Sequence, residues 1–194
     1  MATVYILAIN PGSTSTKIAV YADTNPVFIQ IIRHTIEELA QFELITEQFN
    51  FRKELIIHEL EVAEISLKQI KVVMGRGGLL KPVESGIIAV NEKMILHLES
   101  CTYGEHASNL GGLIAYDLAK SLPDANAYIS NPVVVDELSD LARLSGHPLL
   151  PRKSIFHALN QKAVARQHSK SIMRKYEDLN LIVVHLGGGI TVGA

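Results

Sequence analysis

VYILAINPGSTSTKIAVY, residues 4–21, decides how this chain reads. Val4 to Ile9 is continuously apolar and stops at Asn10-Pro11-Gly12, and from Lys17 to Tyr21 an extended pattern resumes with Ile18 and Val20 on one face. That is strand, turn, strand. Pro26 to Ile32 adds a third β-branched and aromatic run, and because sequential strands usually pair, a three-strand meander opens the protein. The turn itself gathers backbone N–H groups, the hydroxyls of residues 13–16 and the Lys17 ammonium. Phosphate oxygens accept from such donors, so the turn reads as a small anion-binding nest; a polar hairpin is the alternative. It is not a Walker A loop, because the second glycine is absent and a strand follows Lys17 where that motif requires a helix.

Working outward, Thr35 to Leu67 has a longer, charged period in which Phe51, Leu55, Ile56 and Leu60 share one helical face, predicting a helix that covers the sheet. Lys71 to Met74 is a short strand entering Gly75-Arg76-Gly77-Gly78, where the glycines are expected to permit backbone conformations closed to other residues. Gly86 to Val90 is another strand. Ala107 to Leu122 is a helix with Leu110, Leu113, Ile114 and Leu118 inward. Tyr128-Ile129 begins a strand-like stretch that Pro132 to Val135 continues, and Asp136-Glu137 introduces a short helical segment ending at Gly146. After Pro148 and Pro151, Ala158 to Ile172 is helical, and Leu181 to Leu186 is a buried-type strand breaking at Gly187-Gly188-Gly189. VYILAINPGST and LIVVHLGGGIT share one design, an apolar strand feeding a small-residue turn, so the chain reads as one and a fraction copies of an α/β unit.

Composition narrows the function classes. With 18 basic and 20 acidic residues interspersed, a formal net charge of -2 leaves no basic face for nucleic acid. Cys101 is the single cysteine, which excludes an intrachain disulfide and fits a reducing, cytoplasmic location. No apolar run approaches the ~18 residues of a membrane span, and the N-terminus shows no signal-peptide pattern. The 47% hydrophobic content supports a packed core.

Several residues have the right chemistry at the right kind of position. Arg76, in a glycine-rich loop at a strand end, can present its planar fork to a carboxylate or acyl phosphate; a surface arginine is the alternative. His157, just before a helix, can donate to a phosphoryl group in transit or be hydrogen-bonded near the helix start. Asp136, after three valines, orients an arginine or a substrate, or caps the next helix. His106, before the Ala107 helix, lines the same cleft, or faces solvent or caps the helix. Gly187, Gly188 and Gly189 let a second turn approach a nucleotide or simply pack tightly, and their spacing to Gly193 fails the dinucleotide fingerprint. Two such turns in a repeated unit favour a polyphosphate ligand over either alone. No carboxylate cluster has metal spacing, so Mg²⁺ is expected to arrive with a nucleotide.

As a set, NPGSTSTK (10–17), GRGG (75–78), GEHASNLGG (104–112), NPVVVDE (131–137), RKSIFHALNQKAVAR (152–166) and HLGGGITVGA (185–194) resemble the butyrate kinases in order and spacing. The resemblance spans nearly the whole chain. It implies a duplicated actin-like, ribonuclease H-like α/β fold with a mixed sheet flanked by helices. Residues 1–150 would form a first domain, and 151–194 a connecting helix with the beginning of a truncated second. It further implies ATP/ADP with Mg²⁺ as cofactor, a short-chain carboxylate and its acyl phosphate as partners, and a homo-oligomer. By the same resemblance Asn10 lies near the nucleotide-bound Mg²⁺, and Ser13, Ser15 and Lys17 form the first phosphate loop. Arg76 holds the carboxylate, with His106 beside the substrate. Asp136 is the catalytic acid, His157 stabilises the transferring phosphoryl group, and His185 with Gly187, Gly188 and Gly189 forms the second nucleotide loop. Family members are considerably longer, so the polypeptide as given is expected to be weak or inactive alone. An actin- or chaperone-like nucleotide switch is the alternative from another class, and a fragment that associates with other chains is a third.

Overall fold

The computed structural model of the chain describes residues 3–187 and 189–193. Its contacts group the chain into two compact units, one built from residues up to Leu80 with Ile87–Ser130, the other from Lys81–Gly86 with the residues from Asn131 onward.

The first unit is a six-stranded mixed sheet with helices. β1 (Tyr5–Pro11), β2 (Ser15–Ala22) and β3 (Asn25–Arg33) form the expected antiparallel meander. β4 (Ile70–Arg76) then pairs parallel to β1. β5 (Ile87–Ala89) lies antiparallel at the edge against β6 (Asn126–Ser130), which itself runs parallel to β4. The strand order is β3-β2-β1-β4-β6-β5. A parallel neighbour for β1 needs a crossover, and the helical segment between β3 and β4 supplies it.

That segment is not one helix. Thr35 and Glu38 form a capping box for the single turn α1 (Ile36–Leu39), a 3-10 turn follows at Ile45–Gln48, and only α2 (Phe49–Val62) is long. Its inward stripe is Arg52, Ile56 and Leu60 at four-residue spacing, so a cation occupies a position that apolar periodicity does not mark. A further helix not expected from sequence, α3 (Glu92–Glu99), starts at an Asn91 cap. α4 (Asn109–Ser121) buries Leu110, Leu113, Ile114 and Leu118 as expected. Leu7, Ile9, Ile18, Val20, Val73 and Ile129 complete this core.

Glycines 75 and 78 have a different role from the one expected. Neither has a positive φ. A Cβ on Gly75 would sit 2.1 Å from the Gly111 carbonyl oxygen, and one on Gly111 would sit 2.3 Å from that of Arg76. The GRGG and NLGG motifs are two sides of one close strand–helix approach, which holds the end of β4 and hence Arg76 against α4.

In the second unit Val83 bridges Val135, and the Asp136 N–H donates to the Val83 carbonyl. The expected strand over Pro132–Val135 is therefore a turn with one bridge, because Pro132 lacks an N–H and the Val135 N–H returns to the Pro132 carbonyl. The expected helix after Asp136 is a single 3-10 turn at Leu141–Arg143. α5 (Ala158–Ser171) follows, and β7 (Val183–Leu186) pairs, among the described residues, with β8 (Ile190–Gly193) alone. The apolar strand expected to be buried is half-exposed here, with Val184 at 50% and Leu186 at 74%.

Candidate functional site

The sheet sorts the residues of the first turn onto two faces. Thr16, Ile18 and Val20 are buried on the helix side, whereas Ser15 and Lys17 alternate onto the other side. Asn10 pairs directly with Lys17 in the β1–β2 register, so the two side chains share a face, and Arg76 at the end of the neighbouring β4 donates from Nη1 to Asn10 Oδ1 at 3.3 Å. Lys17 makes no ion pair among the described residues. Burial lowers the Arg76 pKa from its ordinary value. His106 accepts at Nδ1 from the Ser108 N–H (3.1 Å), which leaves its proton on Nε2. Its pKa is lowered first by burial and then by the Arg76 charge, so it is neutral at pH 7. The first unit thus brings together Asn10, Ser15, Lys17 and Arg76, with His106 in electrostatic reach of Arg76. Together they can receive an anion: two cations, a neutral N–H donor, and the exposed Ser13 hydroxyl in the turn.

Behind the turn lies a group that sequence reasoning missed. The Arg52 guanidinium, 1% exposed, donates to the Gly12 carbonyl (2.8 Å), the Thr16 hydroxyl (3.0 Å) and Gln48 Oε1 (2.8 and 3.0 Å). Longer contacts at 3.4 Å reach the Ser13 and Ser15 carbonyls. Thr16 Oγ1, which accepts from Arg52, is also hydrogen-bonded to His34 Nε2 at 2.9 Å. The His34 pKa is lowered to about 4 by burial and by Arg52 against the opposing Glu38, so the ring is neutral at pH 7, and its Nδ1 is buried without a hydrogen-bond partner among the described residues.

In the second unit the Asp136 carboxylate accepts a two-pronged pair of hydrogen bonds from Arg143, at 2.9 and 3.0 Å, and a third from the Leu138 N–H. Of the roles open to it in sequence, orienting an arginine is the one observed within this chain. These bonds, Arg143 foremost, hold its carboxyl below the usual range. His157 is the residue before α5, and its Nδ1 lies 2.9 Å from Thr191 Oγ1. The His157 and His185 rings stack at 3.8 Å, and His185 Nδ1 meets Asn160 Oδ1 at 3.1 Å. Gln161 Nε2 donates to the carbonyl and hydroxyl of Thr191. His157, His185, Thr191 and Gln161 thus form one cluster at the base of the β7–β8 turn. A Cβ on Gly189 would meet nothing within 4 Å among the described residues, so its absence answers no packing need among them. Gly188, expected in the same loop, lies outside the described residues.

Among the described residues no group of three or more His, Cys, Asp or Glu side chains can hold a metal, and no helix is long and apolar enough to cross a membrane.

No family model matches the chain. It is 55% identical over 188 residues to butyrate kinase 1 of Clostridium acetobutylicum, and 53% identical over 189 residues to a probable butyrate kinase of Clostridium botulinum. Each alignment covers 97% of this chain and 53% of the relative, so the chain spans about half the length of the curated relatives it matches. Among solved structures it is similar to acetate kinase of Porphyromonas gingivalis, with TM-score 0.67 at 14% identity over 97% of this chain and 54% of that one. A propionate kinase of Francisella tularensis gives TM-score 0.61 at 16% identity over 98% and 54%. At these identities the structures show the fold, the mixed α/β sheet of the acetate kinases.

Proposed function

Because this chain is a relative of the butyrate kinases over nearly its whole length and about half of theirs, we propose that it forms the corresponding part of an ATP-dependent carboxylate kinase acting on butyrate or a similar short-chain acid. The 55% identity across 97% of the chain carries this reading. The polar set at Asn10, Ser15, Lys17 and Arg76 supports it.

Phosphoryl transfer asks a protein mainly for positioning and charge neutralisation. A carboxylate oxygen forms a bond to the γ-phosphorus while the bond to the ADP oxygen breaks, and the acyl phosphate so formed can return its phosphoryl group. In this reading Ser13, Ser15 and Lys17 hold phosphate oxygens, and Arg76, braced by Asn10 and α4, grips the carboxylate with neutral His106 beside it. Arg143 keeps Asp136 ionised. Thr191 sets the ring of His157, the proposed donor to the transferring phosphoryl, and His185 with Gly187, Gly188 and Gly189 forms the second nucleotide turn. In this reading Mg²⁺ is carried by the nucleotide's phosphates, with Asn10 near it, whose Oδ1 accepts from Arg76 through one lone pair and keeps a second. Residues 1–150 as a first actin-like domain with a second beginning at 151, a homo-oligomer, and a cytoplasmic location are part of the same proposal.

The test is acyl-hydroxamate formation from ATP, Mg²⁺ and butyrate in the presence of hydroxylamine, using the chain extended to the length of its relatives. Hydroxamate that depends on both ATP and carboxylate is the expected outcome. An extended, folded, ATP-binding chain that makes none from any short carboxylate would sink the kinase reading and leave the nucleotide switch.

A further inference from the structure

We propose that Arg52 is a positioning residue for a polyphosphate at the 10–17 turn, holding the turn's N–H groups outward and leaving an unneutralised positive charge behind them. The inference rests on the proposed phosphate role of that turn and names a residue on its hidden side.

The argument begins with cost. A cation in a core is unfavourable unless it is compensated, and the other members of the buried stripe on α2, Ile56 and Leu60, are apolar. Among the described residues no carboxylate lies within 4.0 Å of Arg52. Its partners are neutral: Gln48, Thr16 and the carbonyls of the turn. His34, one hydrogen bond further on, is neutral too, and the Glu38 carboxylate, whose charge acts on His34, accepts from the Thr35 N–H and makes no ion pair with Arg52. The charge is therefore present and uncancelled, and burial, which lowers the Arg52 pKa to about 10, does not remove it at pH 7.

The geometry follows from the planar trans peptide, in which a carbonyl and the next N–H point to opposite sides. Drawing the Gly12 and Ser13 carbonyls toward Arg52 sends the Ser13 and Thr14 N–H groups the other way. Those two N–H groups donate to no acceptor among the described residues. Donors directed outward with a fixed positive charge behind them make a preorganised site for phosphate oxygens.

Gln48→Glu separates this from a purely structural role. The substitution keeps the atoms that accept from Arg52 and adds a buried carboxylate that neutralises it, so the fold is retained or stabilised while the field at the turn is cancelled. In the extended chain, with inorganic tripolyphosphate and ADP as calorimetric probes, the expected result is an unchanged or raised Tm with tripolyphosphate Kd and ATP KM each raised about tenfold. KM for butyrate stays within twofold. Arg52→Met loses polyphosphate affinity at least as far, and Arg52→Lys, which keeps the charge without the fork, falls between it and the wild type. A folded Gln48→Glu variant that binds tripolyphosphate like the wild type overturns the inference. If that variant fails to fold, equal affinity in Arg52→Met and wild type overturns it instead. Wild type that binds tripolyphosphate but forms no hydroxamate defeats the kinase reading alone, and the Arg52 comparison then stands on binding.

Discussion

His34 illustrates how one buried side chain makes a stability signature. It is 6% exposed, tilted against Phe51 at 5.4 Å, and hydrogen-bonded through Nε2 to Thr16, so charging it means placing a second cation beside Arg52. Its folded pKa of about 4 lies below the unfolded 6.5. Between those values the unfolded chain binds a proton that the folded one refuses. The stabilisation is therefore complete above pH 6.5 and is lost as pH falls through about 4, at most roughly 3 kcal/mol. His34→Gln, whose amide can donate to or accept from Thr16 and does not titrate, should flatten the acid limb of a urea-unfolding profile over that window. Superimposable limbs for variant and wild type would show that the protonation cost lies elsewhere. Neither His34 nor Arg52 stood out in the sequence, because the first follows an apolar strand like any surface residue and the second sits in a charged stretch. Only the fold places 34 and 52 beside the turn. Asn10, Ser15, Lys17 and Arg76 were legible because they lie at strand ends, where small and polar residues interrupt apolar runs.

At the scale of elements the glycines separate packing from other demands. Gly75→Ala drives a methyl carbon into the Gly111 carbonyl, a backbone atom that cannot rotate away. Overpacking typically costs 1–3 kcal/mol, and a backbone clash belongs at or above the top of that range. A Tm fall of roughly 6–12 °C is expected. Gly189→Ala meets open space, so its Tm should stay within about 2 °C of wild type, while nucleotide affinity falls if that turn carries phosphates. Thermal melts of the two variants check this, and equal destabilisation would refute the distinction. The same contrast shows which elements could be read beforehand. β1 to β3 and α4 follow simple apolar periods, and the structure agrees with them. The segment after Asp136 failed because its local signal, an acid before a short polar stretch, also suits a side chain that reaches Arg143 and the Leu138 N–H instead of capping a helix. The GRGG motif was legible as special but not as packing, since the partner glycines lie some thirty-five residues away in α4.

For the whole molecule, two hairpins of like design have unequal support. The β1–β2 hairpin lies inside a six-stranded sheet with α2 and α4 packed on its unit, whereas β7–β8 is a two-stranded sheet whose Val184, Leu186, Ile190 and Val192 are 50%, 74%, 69% and 60% exposed. A lone two-stranded hairpin is marginal in water, and apolar side chains at this exposure contribute little to holding it. The relatives are about twice as long, and the internal repeat predicts that further strands continue the second sheet as β3 and β4 continue the first. Native-state hydrogen exchange tests this at residue resolution. In the 194-residue chain, amides of 183–186 and 190–193 should exchange by local opening with little protection, while those of β1 and β4 approach the global limit. In the chain extended to the length of its relatives, protection at 183–186 should rise by at least 100-fold, and β1 should change little. Equal protection of β7 in both chains would mean that the hairpin is held by α5 and the Thr191–Gln161–His157 contacts alone, and that the second repeat does not build on it.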